Sequence, residues 1–176
     1  DVVSPRLVEA NLKGLDLGGL DLSKVQLSGA DLSNSRCRGT NLEEAQLSGC
    51  NLTGADLTGA KLSGTNLEDA NLSLASLEHV VAARTRFRGA TLHSASLRHA
   101  MLEEADLRST NLAAAALDSA MVDRAAFNCA NLEGASLRFV DYRTAYLKDS
   151  RIDSATYRNS RLSPSDLIEL RDKGVM

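Results

Sequence analysis

The chain has 176 residues and a formal net charge of −3, the size of one ordinary domain with a balance that favours neither a nucleic-acid binder nor a strongly acidic surface. With no Trp, three Phe and three Tyr it has too few rings for the usual globular core, so Leu and Ala must fill the interior. Residues 1–80 carry 11 acids and 6 bases, whereas residues 81–176 carry 12 acids and 14 bases. Cys37, Cys50 and Cys129 are odd in number and lack metal-ligand spacing, which suits free thiols in a reducing compartment. No apolar run approaches the roughly 18 residues of a membrane helix, and no signal peptide is visible. These features favour the cytoplasm and give no membrane partner. The chain starts at Asp1 rather than Met, so either a leader has been removed or the sequence is a fragment.

From the N-terminus onward, Leu recurs every five residues: Leu7, Leu12, Leu17, Leu22, Leu27 and Leu32, then Leu42 through Leu77, then Leu92 to Leu162. Of 32 such positions 24 are Leu; the others are Cys37, Ala82, Phe87, Val122, Phe127, Tyr142, Ile152 and Tyr157. Two residues earlier stands a small residue, usually Ala, as at Ala55, Ala60, Ala70, Ala105 and Ala130. Asp or Asn often lies between the two, as in Ala55-Asp56-Leu57. Neither regular element fits this period. On an α-helix five residues advance about 500°, so successive Leu drift by about 140° and form no stripe. On a flat strand, residues five apart face opposite sides. A short extended segment with a corner every five residues puts Leu and Ala inside together. Gly, Ser, Asn and Asp cluster where the corner belongs, with Gly49, Gly54, Gly59, Gly64, Gly89 and Gly134 each two residues after the Leu-site residue. The chain therefore coils as a solenoid.

These residues resemble the pentapeptide-repeat family, whose unit is A(D/N)LXX, and the match runs over residues 5–163. The resemblance implies an all-β fold, a right-handed quadrilateral β-helix with four repeats per coil. Residues 1–163 then form about eight coils, at about 4.8 Å each. Leu52, Leu57, Leu62, Leu67, Leu107, Leu112 and Leu132 belong to its core.

Asp1-Val2 falls in phase with the Asp-Leu pair of the repeat and shows no cap, as though the start were a truncation or an end covered by a partner. Residues 80–88 are the weakest stretch, because Ala82 takes an inward site that expects Leu and Phe87 is oversized for the next. Irregular packing is expected there. At the C-terminus a helix over 164–174 is predicted to cap the last coil. Ser163 is a good N-cap, Pro164 fits the first helical position and Asp166 completes a capping box. Leu167, Ile168 and Leu170 make one apolar face and Gly174 stops the helix. Family members that pair by their C-terminal ends imply a homodimer through a solenoid end as an alternative use of this helix.

If a coil is 20 residues, Asn11, Asp31, Asn51, Asn71, Thr91, Asn111 and Asn131 form one polar ladder, a structural device. On another face Val81, Met101 and Met121 take outward positions where Asp or Asn is the norm, a candidate partner-binding patch. Arg84, Glu103, Glu104, Asp123 and Arg124 rim it. His79 and His99 should stack about 5 Å apart, with no third ligand to complete a metal site. Arg84, Arg86, Arg88, Arg98 and Arg108 read as a salt-bridged face, since acids are interleaved. There is no phosphate-cradling Gly loop, no Ser/His/Asp set and no isolated acid pair, hence no catalytic, cofactor or metal residue to name. The expected function is a non-catalytic scaffold or protein-interaction module whose partner is another protein, without direct nucleic-acid contact. The alternative resembles the family's gyrase-protecting branch, in which a negative rod mimics duplex DNA. The net +2 of residues 81–176 and the scarcity of Phe at the central site stand against it. An enzyme or metal protein is a third, weaker reading.

Overall fold

In a computed structural model, which describes residues 7–152 and 154–161, the chain winds as a parallel four-sided coil. Asn11 pairs with Asp31, Asp16 with Arg36, Asp21 with Asn41 and Gln26 with Gln46, each pair parallel and twenty residues apart. The same offset recurs up to the Asp141–Arg161 pair, so the described residues make nearly eight coils and the 20-residue coil implied by the repeat is the observed one. Four faces follow, named here by their outward polar sites: the first face holds 11 to 151, the second 16 to 156, the third 21 to 161 and the fourth 26 to 146.

Backbone hydrogen bonding explains the repeat site by site. The Leu N–H donates to the polar-site carbonyl one coil on, as from Leu12 to Asp31 at 2.7 Å, and the Asp31 N–H donates back to Ala10 at 2.9 Å. The second corner residue donates to the first corner carbonyl of the next coil, as from Gly14 to Ser33 at 2.9 Å. The small-residue N–H closes the turn on the preceding Leu carbonyl, as from Ala10 to Leu7 at 3.1 Å. Only the first corner N–H lacks a backbone acceptor, and the Asp or Asn two residues earlier supplies one. Asp31 Oδ1 accepts from Ser33 at 2.9 Å, Asp56 from Thr58 at 3.0 Å and Asn71 from Ser73 at 3.0 Å. The polar site is thus Asp or Asn because their side chains reach back to that amide. Asn side chains also bond between coils, as Asn51 Nδ2 to Asp31 Oδ1 at 3.2 Å. The polar ladder is structural, as the sequence implied.

Every described turn but the one at Thr144 has positive φ at its third residue, as a type II turn does. Ten glycines take this site, but so do twenty other residues, from Lys24 (φ 59) to Phe139 (φ 61). Each of those twenty costs roughly 1 kcal/mol relative to an unstrained backbone. Burial offsets that cost. Leu52, Leu57, Leu62, Leu67, Leu107, Leu112 and Leu132 are fully enclosed, and Ala fills the small site beside them. Each Leu contributes roughly 1.5–3 kcal/mol on burial. Thr at the small site donates its hydroxyl to a Leu carbonyl, of the stacked coil from Thr40 to Leu17 and from Thr65 to Leu42, each at 2.7 Å, and of its own turn from Thr110 to Leu107 at 2.6 Å. At the N-terminal coil the small sites hold Leu15 and Leu20, which are half exposed.

Residues 80–88 depart from the expected irregularity. Ala82 and Phe87 are enclosed, and the ladder passes unbroken from Ala82 to Met101 and from Phe87 to Asp106, each at 2.8 Å. A full backbone ladder tolerates the paired small and large residues. The seam lies elsewhere, between Met121–Ala125 and Asp141–Ala145. Among the described residues Met121 and Asp141 form no bridge, and neither Val122 nor Asp141 makes its usual intercoil N–H bond. Thr144 is the one β-branched residue in a described second corner site, and there it is the corner without positive φ. β-branching crowds the left-handed conformation, so this corner takes another one. Arg124 N–H then bonds to Thr144 Oγ1 at 3.2 Å instead of to a carbonyl. Tyr142 stands inside the same coil, edge-on to Phe127 at 5.9 Å, and its buried hydroxyl has no partner. The helix expected over 164–174, with Ser163, Pro164, Asp166, Leu167, Ile168 and Leu170, lies outside the described residues.

Two substitutions test this account. Asn accepts a left-handed corner, so Thr144→Asn is expected to close the seam and add about 1 kcal/mol, raising the thermal midpoint by about 2–4 °C. Tyr142→Phe removes an unsatisfied buried hydroxyl and is expected to stabilise by about 1 kcal/mol in urea denaturation.

Candidate protein-interaction face

On the third face the polar sites run Asp21, Asn41, Lys61, Val81, Met101, Met121, Asp141 and Arg161. Lys61 pairs with Val81, Val81 with Met101 and Met101 with Met121, which sets three apolar side chains in register on successive coils. Val81 is half-buried, while Met101 is 41 % and Met121 49 % exposed. None of the three can take up the first-corner amide as Asp or Asn does, so all three forgo that local bond.

Corner residues flank the stripe on both sides. Two residues before Val81 and Met101, the His79 and His99 rings stack with centroids 4.9 Å apart and planes within 5°. This is the spacing the repeat implies. Among the described residues no group of three or more His, Cys, Asp or Glu is placed to hold a metal ion. On the far side Glu104 receives Arg84 at 2.8 Å and Arg124 at 2.6 Å, an internally paired corner. A shallow hollow of about 340 Å3 opens at Gly64 on that flank, bordered by Glu44, Ala83, Arg84, Glu103 and Glu104.

Behind the histidines runs a charge ladder on first corner sites: Arg98 lies 3.7 Å from Glu78 and 3.6 Å from Asp118, and Arg138 lies 3.0 Å from Asp118. Asp118 leaves only 11 % of its side chain exposed. Desolvation pushes its pKa up, but hydrogen bonds from the Arg138 guanidinium, the Ser136 hydroxyl and the Arg138 N–H, with the Arg138 charge, pull harder and hold it at about 2. The basic cluster is likewise paired in part, with Arg108 clamping Asp106 at 2.5 Å. Cys37 and Cys50 are enclosed, and burial pushes the Cys50 thiol up to about 11, whereas Cys129 is exposed.

Two features of this region escape a reading that follows the Leu and polar sites. Asp118 is the least obvious, since a buried charge at a corner shows only when Glu78, Arg98, Asp118 and Arg138 are lined up twenty apart. Phe139, 61 % exposed, stands one coil above Ser119 at the same corner as the histidines. By register it stands beside Asp141, one coil past Met121 and one corner to the side of the stripe. Leu74 and Tyr146 are also exposed, but on other sides of the rod.

A parallel four-sided coil with a five-residue unit, small and Leu sites inward and Asp or Asn between them, defines a pentapeptide-repeat solenoid. The family model for pentapeptide repeats matches eight copies over residues 6–36, 30–69 and 70–108, and the chain belongs to this family of right-handed β-helices. Among solved structures the chain is similar to HetL, a pentapeptide repeat protein involved in heterocyst differentiation regulation in Nostoc sp. strain PCC 7120. The two share 29% identity over 91% of this chain and 90% of that one, with TM-score 0.44. It is similar to a second Nostoc PCC 7120 pentapeptide repeat protein, at 32% identity over 52% of this chain and 75% of that one, TM-score 0.48. A third likeness is to QnrB1, a plasmid-mediated fluoroquinolone resistance protein, at 19% identity over 98% and 97% of the two chains, TM-score 0.49. No curated protein matches the sequence. Among the described residues no helix is long and apolar enough to cross a membrane.

The Asp118 ladder gives a pH test. A carboxylate whose folded pKa is depressed contributes stability that is complete above the usual value of 3.8 and is lost as pH falls toward about 2. Asp118→Asn is expected to lower stability at pH 7 by roughly 2 kcal/mol and to flatten the loss over that acid window. Urea melts of both proteins from pH 7 down to the acid limit check both effects.

Proposed function

We propose that the protein is a non-catalytic scaffold that binds another protein through its third face, with Val81, Met101 and Met121 as the contact. The observation that carries this reading is the stripe itself. Three outward sites in register hold apolar side chains, with Asp21, Asn41 and Lys61 below them and Asp141 and Arg161 above. An apolar strip rimmed by charge is the form of a recognition surface rather than of scattered surface residues. The DNA-mimic alternative calls for one continuous negative face, and the acids here are instead interleaved with arginines, as in the Glu78–Arg98–Asp118–Arg138 ladder.

Arginine already occupies outward sites in this rod at Arg36, Arg86 and Arg151. The double variant Met101→Arg with Met121→Arg is therefore expected to keep the wild-type melting curve, since surface changes stay within about 0.5 kcal/mol. It is expected to abolish capture of the partner from the native cell extract. Undiminished capture by the folded double variant would falsify the reading.

A further inference from the structure

Resting on that reading, we infer that the occupant of the stripe is an amphipathic α-helix with a basic flank, laid along the rod axis. The first ground is backbone satisfaction. Val81 N–H donates to Ala60 at 3.0 Å and its carbonyl accepts from Leu62 at 2.7 Å; Met101 N–H donates to Val80 at 2.9 Å and its carbonyl accepts from Ala82 at 2.8 Å. The stripe residues therefore offer no free main-chain group, and at their edge only the separate first-corner N–H groups of Ala83, Glu103 and Asp123, twenty residues apart, have no acceptor among the described residues. A partner pressed on it must satisfy its own backbone, as a helix does and an isolated strand does not.

The second ground is spacing. Coils repeat at about 4.8 Å, so the three side chains stand at about 0, 4.8 and 9.6 Å along the axis. Residues i, i+3 or i+4, and i+7 of a helix stand at about 0, 4.5–6 and 10.5 Å, within about 1 Å of that series. Same-side residues of a strand recur at about 6.8 Å and are about 4 Å out of step by the third. Phe139 gives the helix residue i+10 a neighbour on the next coil.

Charge fixes the flank. Glu104 is already held between Arg84 and Arg124, and Glu44 lies 3.7 Å from Lys24, so at the hollow beside Val81 and Met101 Glu103 is the carboxylate without an ion pair among the described residues. The opposite flank is the paired ladder about Asp118. A Lys or Arg on one side of the helix fits this asymmetry.

The test uses the full chain and a fluorescein-labelled 20-residue peptide with Leu at i, i+3, i+7 and i+10 and Lys along one flank. A peptide of the same composition with alternating Leu and one with Glu in place of Lys serve as comparisons. Fluorescence anisotropy is expected to show the helical basic peptide binding about tenfold tighter than either. Met101→Arg with Met121→Arg is expected to remove binding, and Glu103→Lys to weaken it about fivefold. Failure of the helical peptide to bind, or equal binding of the alternating one, overturns the helix. Indifference to Glu103→Lys overturns the basic flank. If the Met double variant still loses capture of the native partner while the helical peptide fails, the docking face stands and only the helix falls. Capture untouched by the double variant overturns both.

Discussion

Every repeat presents five amide N–H groups, and all of this structure depends on finding five acceptors for them. Four are carbonyls, three across the coil boundary and one within the turn. The fifth, wherever the polar site holds Asp or Asn, is that side chain. This accounting forbids insertions, because one extra residue would shift every later N–H away from the carbonyl it needs. It also makes the rod a stack of equal steps in which residues twenty apart share a side. The charge ladders, the stacked imidazoles and the apolar stripe are all consequences of that register.

Much of this was legible because it is periodic. Leu every five residues with Ala two before cannot be served by a helix or a flat strand, and the burial of Leu52, Leu107 and Ala130 follows from that arithmetic. Reading columns at twenty residues likewise places Val81 beside Met101 and His79 beside His99. What the period hides is whatever depends on two columns at once. Asp118 is buried because arginines from the coils on either side close over it, and Phe139 stands diagonally from Met121, one coil on and at the neighbouring corner. The weak stretch read at residues 80–88 shows the reverse case. An odd side chain inside a complete backbone ladder disturbs less than its size suggests.

The seam marks the opposite situation, where one side chain does break the ladder. The left-handed corner accepts Lys24, Leu74 and even Phe139, whose branching begins beyond Cβ. Thr144 branches at Cβ itself, and the corner gives way. Its hydroxyl then bonds both to Arg124 N–H and to Asp123, which replaces part of what the lost carbonyl bonds supplied. Local chemistry thus outranks register at one corner, while the coils below it keep their phase.

A solenoid whose inward and polar-site main chain is paired from coil to coil offers a partner chiefly side chains, and most of those are committed. Inward sites fill the core, and Asp or Asn at the polar site is bound to its own corner. The proposed function uses the polar sites that have given up this local bond. Val81, Met101 and Met121 do so on three successive coils, and each exposes hydrocarbon where a carboxamide or carboxylate would have held an amide. Ser76, Ser96 and Ala116 on the second face also depart from Asp or Asn, but they are small and present little apolar surface. Among the described residues the third face alone combines the departure with three large apolar side chains in register. That combination, more than exposure itself, is what singles it out as the surface we propose for a partner.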